Sequence, residues 1–246
     1  MKDEKLPVTE HLEELRARLI KALVAVFGLA IISYIFAEKI LRILLRPLLA
    51  SIPEGSSLVF INLTEAFIAY LKISILAGFI IASPYVFFQL WMFVVPGLYH
   101  REKKATIQFV SMAVLALLLG ILFCYFIILP VLFPFLLSFG ADLIKPLPTI
   151  KSSVSVVIRL FLIFGLIFEI PVTSFYLAKI GLLSSEVFKG ARKFFFLLSF
   201  VIAAIITPPD VISQLIVGFP LFAIFEASIV LAKLGEKMYR KKIQQL

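Results

Sequence analysis

Long stretches without a single formal charge are the feature that most constrains what this chain can fold into. Residues 73–98 contain no charged side chain, and neither do residues 105–141. About 20 consecutive apolar residues in a helix span the hydrocarbon core of a bilayer. Only 16% of the residues are charged and 62% are hydrophobic, whereas soluble domains carry about 25% charged residues. The chain is therefore predicted to be an integral membrane protein.

The apolar runs predict an all-α fold with six transmembrane helices, in a single polytopic membrane domain covering residues 1–246. Leu12, Leu15 and Leu19 recur at helical spacing and predict an amphipathic helix that leads into the first span. The last two helices are predicted to be short, since the run 194–207 has 14 residues and would rise about 21 Å at ~1.5 Å per residue. The approximate spans are 19–37, 73–95, 106–130, 158–178, 194–207 and 211–231.

Prolines and a capping residue suggest where these helices bend or end. Ser83-Pro84 predicts a kink inside the second span. Pro130 and Pro134 are predicted to mark the point where the third span leaves the bilayer, because a proline removes a helical hydrogen bond. Asp210 follows Pro208-Pro209 and is predicted to cap the last helix.

The basic residues indicate the orientation of the chain. With six spans both termini lie on one side, and 17 of the 24 lysines and arginines fall on that side. Cytoplasmic loops carry the excess of lysine and arginine, so the N- and C-termini are predicted to be cytoplasmic. The net charge of +9 is thus attributed to orientation, and no nucleic-acid partner is predicted. Cys124 is the one cysteine, so no disulfide can form within the chain.

Two carboxylates, Glu14 and Glu102, are expected at the cytoplasmic interface, where they could form one acidic site. Each also has an ordinary structural explanation. Glu14 could pair with Arg18 four residues later, which stabilises a helix by about 0.3–0.5 kcal/mol. Glu102 could be a favourable charge at a helix N-terminus, worth about 0.3–1 kcal/mol. These residues alone leave both explanations open.

Glu169 is a carboxylate at the tenth of the 19 positions between Arg159 and Lys179, near the middle of the fourth span. A charged side chain at that depth costs about 3 kcal/mol on insertion scales, so it usually faces a polar cavity, a partner or a proton path. Gln214 is a milder case near the end of a short helix. Both are predicted to be intramembrane polar residues that face a partner.

Catalytic and metal-binding motifs are absent from the sequence. It contains no HExxH, no GxSxG and no glycine-rich phosphate loop. His11 and His100 lack the spacing of metal ligands. We therefore predict no enzymatic activity, no catalytic residues, no metal and no cofactor.

Several segments, in this order and setting, resemble the TatC family, the polytopic component of the twin-arginine protein translocase. The resemblance covers nearly the whole chain. The matching segments are His11-Leu12-x-Glu14-Leu15-Arg16-x-Arg18-Leu19, Pro47, Ser83-Pro84, Phe93-x-x-Pro96-x-Leu98-Tyr99-x-x-Glu102, Phe168-Glu169-x-Pro171 and Thr207-Pro208-Pro209-Asp210-Val211-x-Ser213-Gln214. Glu13 departs from the family, in which an apolar residue often stands beside the key glutamate, and adds a second acid at the site.

The resemblance implies a core receptor subunit in the cytoplasmic (inner) membrane that binds Arg-Arg signal peptides of folded cargo. It also implies single-span partners of the TatA/TatB type, a homo-oligomer within a larger complex, and transport driven by the proton-motive force. Glu14 and Glu102 would recognise the paired arginines, supported by four further residues. These are Arg16, Pro47, Phe93 and Leu98. Glu169 and the last two helices would face a concave membrane-embedded surface and the partner helices.

A second function remains open at this point. The mid-span position of Glu169 is also compatible with a proton-coupled small-solute transporter that uses this carboxylate. The absence of a convincing internal repeat weakens that alternative, because many transporters are built from inverted repeats.

Overall fold

A computed structural model describes residues 8–52, 58–94, 103–139, 147–208 and 210–244. These ranges are almost entirely helical, and an isolated parallel bridge pairs Val59 with Thr149. A π-helical turn, Cys124–Ile128, joins α4 to α5. The helices are α1 (Val8–Tyr34), α2 (Ala37–Leu49), α3 (Glu65–Val94), α4 (Lys103–Phe123), α5 (Leu129–Ser138), α6 (Ile150–Lys179), α7 (Ser185–Gly190), α8 (Arg192–Ile206) and α9 (Val211–Ile243).

Four helical stretches of the described chain are long and apolar enough to cross a membrane. They are Glu65–Phe93, Thr106–Ser138, Ile150–Lys179 and Val211–Lys241. A fifth candidate is the pair of α1 and α2, which are bent by 89° relative to each other. The prediction of an all-α membrane protein is confirmed.

The last helix differs from the predicted one. The prediction of a short helix holds for α8, with 15 residues, and is wrong for α9, with 33. Glu226, where the apolar run ends in sequence, does not end the helix. Its Oε1 atom lies 2.7 Å from Nε of Arg192 on α8, so an ion pair between helices compensates its charge.

Two prolines inside helices free carbonyl groups that side chains then use. Pro84 has no N–H for the carbonyl of Ile80, and the hydroxyl of Ser83 donates to that oxygen at 2.7 Å. α3 accordingly continues as one helix through Pro84. Pro47 likewise leaves the carbonyl of Ile43 without a helical donor, and the hydroxyl of Tyr125 donates to it at 2.8 Å.

Pro130 and Pro134 lie inside α5, which continues to Ser138. The helix therefore does not end at these prolines, and the point where the third span leaves the bilayer stays a prediction. Pro130 occupies the first turn of α5, where a missing N–H is tolerated. The π-helical turn directly before it takes up the change in the hydrogen-bond pattern.

The helices pack as neighbours with close backbone contacts. α3 runs antiparallel to α1, and a Cβ atom on Gly78 would lie 2.6 Å from the backbone nitrogen of Ala30. α9 runs parallel to α6, and a Cβ atom on Gly235 would collide with the carbonyl of Phe175. In the same interface Ser174 donates from Oγ to the carbonyl of Ser228 at 2.9 Å. Small residues at such contacts are typical of helix packing in membranes.

The bundle has two ends, named here after the short helices found there. At the α2 end, a core of buried apolar residues joins Leu44, Leu45 and Leu48 of α2 to α5 and α6. Toward the α7 end, a smaller cluster is built around Trp91, which stacks on Phe109 with ring centroids 3.8 Å apart.

Carboxylates cap the N-termini of two helices, one from the adjacent residue and one from a distant part of the sequence. The carboxylate of Asp210 accepts from the backbone nitrogen of Ser213 at 2.6 Å, which confirms the predicted cap of α9. Glu236 of α9 accepts from the backbone nitrogen and the hydroxyl of Ser185, at 3.2 and 2.9 Å. The start of α7 is therefore capped by a side chain 51 residues later in the sequence.

Candidate functional site

Glu14 binds a guanidinium group at the α7 end of the bundle. Its Oε1 atom accepts from Nε of Arg18 at 2.8 Å and from Nη2 at 2.5 Å. Nη1 of Arg18 lies 3.4 Å from Oε1 of Gln89 on α3. Glu14 and Arg18 are each partly shielded, with 28% and 21% of their side chains exposed. The result is a chain of polar contacts from α1 to α3.

The two residues beside Glu14 point elsewhere. Glu13 and Arg16 are exposed, and neither has a hydrogen-bond or ion-pair partner within the described parts of the chain. Successive helical residues are rotated by about 100°, so only one of Glu13 and Glu14 can face α3. Glu14 is that residue.

Of the predicted binding residues near the end of α3 in sequence, the structure describes Phe93. Phe93 is half-buried, one turn beyond Gln89. Glu102 and Leu98 lie outside the described residues, and Glu102 directly precedes Lys103, where α4 begins. α3 ends at Val94, five residues beyond Gln89, which is about 7.5 Å along the helix axis. The described end of α3 therefore lies close to the Glu14 network.

Pro47 is not brought to this site. From Glu14 to the end of α1 at Tyr34 the helix rises about 30 Å, and α2 then turns away by 89°. Pro47 thus lies at the α2 end, among residues packed on α5 and α6. The expectation that Pro47 supports the Glu14 site is corrected by this distance, and its observed role is to free the carbonyl that Tyr125 binds.

Glu169 and Gln214 lie away from Glu14. Glu169 is buried in α6, and its Oε1 atom has no hydrogen-bond partner in the part of the chain that is described. Gln214 is half-buried in the first turn of α9. A buried carboxyl oxygen without a partner is costly in a membrane protein, and the described side chains supply none for this atom of Glu169.

Gln89 was not among the predicted site residues. A polar amide in the charge-free run 73–98 was the available signal, but only the pairing of α1 with α3 shows which group it contacts. Nothing in the described residues suggests a metal centre, since no group of three potential ligand side chains comes together there.

Comparisons with known proteins agree with one another. The model of the family described as Sec-independent protein translocase protein (TatC) matches residues 10–220. A protein of that name from Desulforapulum autotrophicum is 41% identical over 240 residues, covering 98% of this chain and 87% of the relative. Another from Aquifex aeolicus is 40% identical, covering 98% of this chain and 100% of the relative. A crystal structure of a twin-arginine translocase receptor, TatC, has a TM-score of 0.83 at 40% identity, covering 92% of this chain and 99% of that one.

Proposed function

Because the chain belongs to the TatC family of Sec-independent protein translocase proteins, we propose that it is the receptor subunit that binds the paired arginines of export signal peptides. Members of this family are non-enzymatic membrane components of a protein translocase. The proposed ligand is an Arg-Arg signal peptide on a folded cargo protein. The proposed site lies at the α7 end of the bundle, around Glu14.

One observation carries this proposal: the carboxylate of Glu14 is already in contact with a guanidinium. Two N–H groups of Arg18 reach the same carboxylate oxygen at 2.8 and 2.5 Å. An arginine of a bound peptide would make contacts of the same kind. Charge-assisted hydrogen bonds of this type contribute about 1.5–3 kcal/mol.

Two arginines need two carboxylates, and we assign the second to Glu102. Its place directly before α4, in the segment that follows the end of α3, supports this assignment. Phe93 and Leu98 would provide apolar contacts beside the two acids. Arg16 is exposed and stands two residues after Glu14. It would interact with the polar part of the peptide.

The proposed orientation places this site in the cytoplasm. The described helices alternate in direction along the chain, which supports six crossings of the cytoplasmic (inner) membrane with both termini inside. α8 is the shortest of these crossings. The lysines and arginines concentrated at the α7 end favour that end as the cytoplasmic one.

We assign the partner-facing role to Glu169, Gln214 and the surface of α8. Phe194, Leu197 and Ile205 of α8 are more than half exposed, so single-span partner helices of the TatA/TatB type would find an apolar surface there. Glu169 would receive a polar group from such a helix or from a second copy of the chain. The alternative of a proton-coupled small-solute transporter rests on the position of Glu169 alone, and family membership favours the translocase.

Peptide binding tests the receptor function. The purified protein should bind a peptide with an Arg-Arg pair more tightly than its Lys-Lys counterpart, because an ammonium group does not form the two-pronged contact of a guanidinium. Glu14→Gln and Glu102→Gln should each weaken Arg-Arg binding about tenfold to a hundredfold, the loss expected for one charge-assisted contact. Fluorescence anisotropy with labelled peptides measures these affinities.

Matched variants separate the site from a general effect of charge. Glu13→Gln removes the neighbouring, exposed acid and should leave the affinity unchanged. Glu169→Ala should also keep peptide affinity while reducing co-purification of a single-span partner. Equal affinity for the Arg-Arg and Lys-Lys peptides, or equal effects of Glu13→Gln and Glu14→Gln, would refute the assignment.

A further inference from the structure

A groove between α1, α3 and α6 carries two cations on helices that are long and apolar enough to cross a membrane. It has a volume of about 430 Å³, within the ~300–1,000 Å³ typical of small-molecule sites. Lys72 and Arg159 lie at one end of the groove. Lys72 is seven residues from the start of α3 and Arg159 nine from the start of α6, so both lie about 10–14 Å along their helices from the α2 end.

These two cations lack a carboxylate partner within the described chain. Neither forms an ion pair with a described residue, and Nζ of Lys72 donates to Oγ of Ser155 at 3.3 Å. Glu65, two turns before Lys72 on α3, instead accepts from Nδ2 of Asn62 at 3.3 Å. Cations on membrane-spanning helices are rare and normally pair with another group. The groove therefore presents two positive charges whose compensating anion is not part of the described chain.

The remaining wall of the groove is apolar and open to the lipid. Ile75, Phe79 and Leu162 line it, together with buried residues such as Val26 and Leu76. Ile75 and Leu162 are 44% and 37% exposed, so the groove is open at an apolar part of the bundle surface. A small soluble anion would leave this apolar wall unused. A ligand that combines an anionic head with a hydrocarbon chain fits both parts.

We propose that this groove binds a glycerophospholipid with a net negative headgroup. Its phosphate lies between Lys72 and Arg159, and one acyl chain runs along Ile75, Phe79 and Leu162. A guanidinium matches phosphate oxygens in two-pronged geometry, and Lys72 adds a second charge. A zwitterionic lipid is disfavoured because its ammonium group would meet a second cation and no carboxylate. Basic pockets between membrane helices bind anionic headgroups in this way.

Native mass spectrometry of the delipidated protein in detergent tests the site. Phosphatidylglycerol should bind about thirtyfold more tightly than phosphatidylcholine with the same acyl chains, which corresponds to about 1 kcal/mol for each of two cations. The double variant Lys72→Gln/Arg159→Gln should remove this preference. Arg46→Gln/Lys151→Gln is the matched control, because it removes one arginine and one lysine, both exposed, from the same end of the bundle but outside the groove.

A second variant keeps the charges and fills the apolar wall. Leu162→Trp should weaken the retention of both lipids. If the double variant fails to fold, this variant shows whether lipid occupies the groove. Equal binding of the two lipids by the unmodified protein would overturn the proposal, and so would an equal loss in the control variant. Displacement of bound lipid by an acidic single-span peptide, with no preference among lipids, would assign the groove to a partner helix instead. None of these results depends on binding of an Arg-Arg peptide.

Discussion

At the scale of single residues, Arg18 occupies the carboxylate oxygen that the proposed ligand needs. The guanidinium contacts Glu14 at 2.8 and 2.5 Å and lies 3.4 Å from the side-chain oxygen of Gln89. A peptide arginine that binds Glu14 must displace or share this contact. Arg18 then acts as an internal competitor, and the released side chain remains near Gln89.

Removal of this competitor should raise peptide affinity. Arg18→Gln should tighten Arg-Arg peptide binding about two- to fivefold, since partly exposed pairs contribute up to about 1 kcal/mol. Titration of the labelled peptide measures the change. Lys21→Gln is the control for charge, because Lys21 is an exposed cation on the next turn of α1. Weaker binding by Arg18→Gln would place Arg18 in the binding site itself.

At the scale of helices, a proline in one element creates a hydrogen bond to another. Pro47 frees the carbonyl of Ile43 in α2, and Tyr125 in the π-helical turn donates to it at 2.8 Å. The bent pair of α1 and α2 is thereby tied to the rod formed by α4 and α5. The hydrogen bond joins residues 82 positions apart in the sequence.

Loss of the Tyr125 hydroxyl should destabilise the bundle. Tyr125→Phe should lower the free energy of unfolding by about 0.5–1.5 kcal/mol, the net value of one hydrogen bond. Thermal unfolding in detergent measures this effect, with Tyr85→Phe as the control at an exposed tyrosine. In a Pro47→Ala background the cost should shrink, because Ile43 regains a backbone donor. An equal cost in both backgrounds would contradict this explanation.

Helix positions follow from the charge pattern far better than helix ends do. Charge-free runs predict the regions of α3 and α4, and a run with Glu169 as its one charge predicts α6, because hydrocarbon excludes charge over a fixed thickness. α5 continues through Pro134 to Ser138, and the hydropathy pattern does not mark this end. Glu226, where the apolar run ends, lies inside α9 and pairs with Arg192, 34 residues earlier. Such partners appear only when the helices are assembled.

At the scale of the whole molecule, the sequence predicts which acidic residues form the site. It does not predict which of them face α3 or how far apart the site residues lie. Glu13 and Glu14 are chemically alike, and the choice between them needs the face that α1 turns toward α3. Pro47 is among the residues that match the family, as the site residues are. In the structure, however, it lies about a membrane thickness from Glu14. Glu102 stays a prediction, supported by the position of the adjacent α4.

The orientation of the molecule is open to labelling with a thiol reagent that does not cross membranes. Cys124 is fully buried, so the unmodified chain should remain unlabelled and serve as its own control. Leu147→Cys, exposed at the α2 end, should react in intact cells. Val187→Cys, exposed on α7, should react only after the membrane is opened. The opposite result would reverse the proposed orientation.

The cap that Glu236 places on α7 also has a consequence in time. Residue 236 is synthesised 51 residues after Ser185, so the first turn of α7 is made before the carboxylate that later binds its backbone nitrogen. The capped form of α7 therefore has to wait for the part of α9 that carries Glu236.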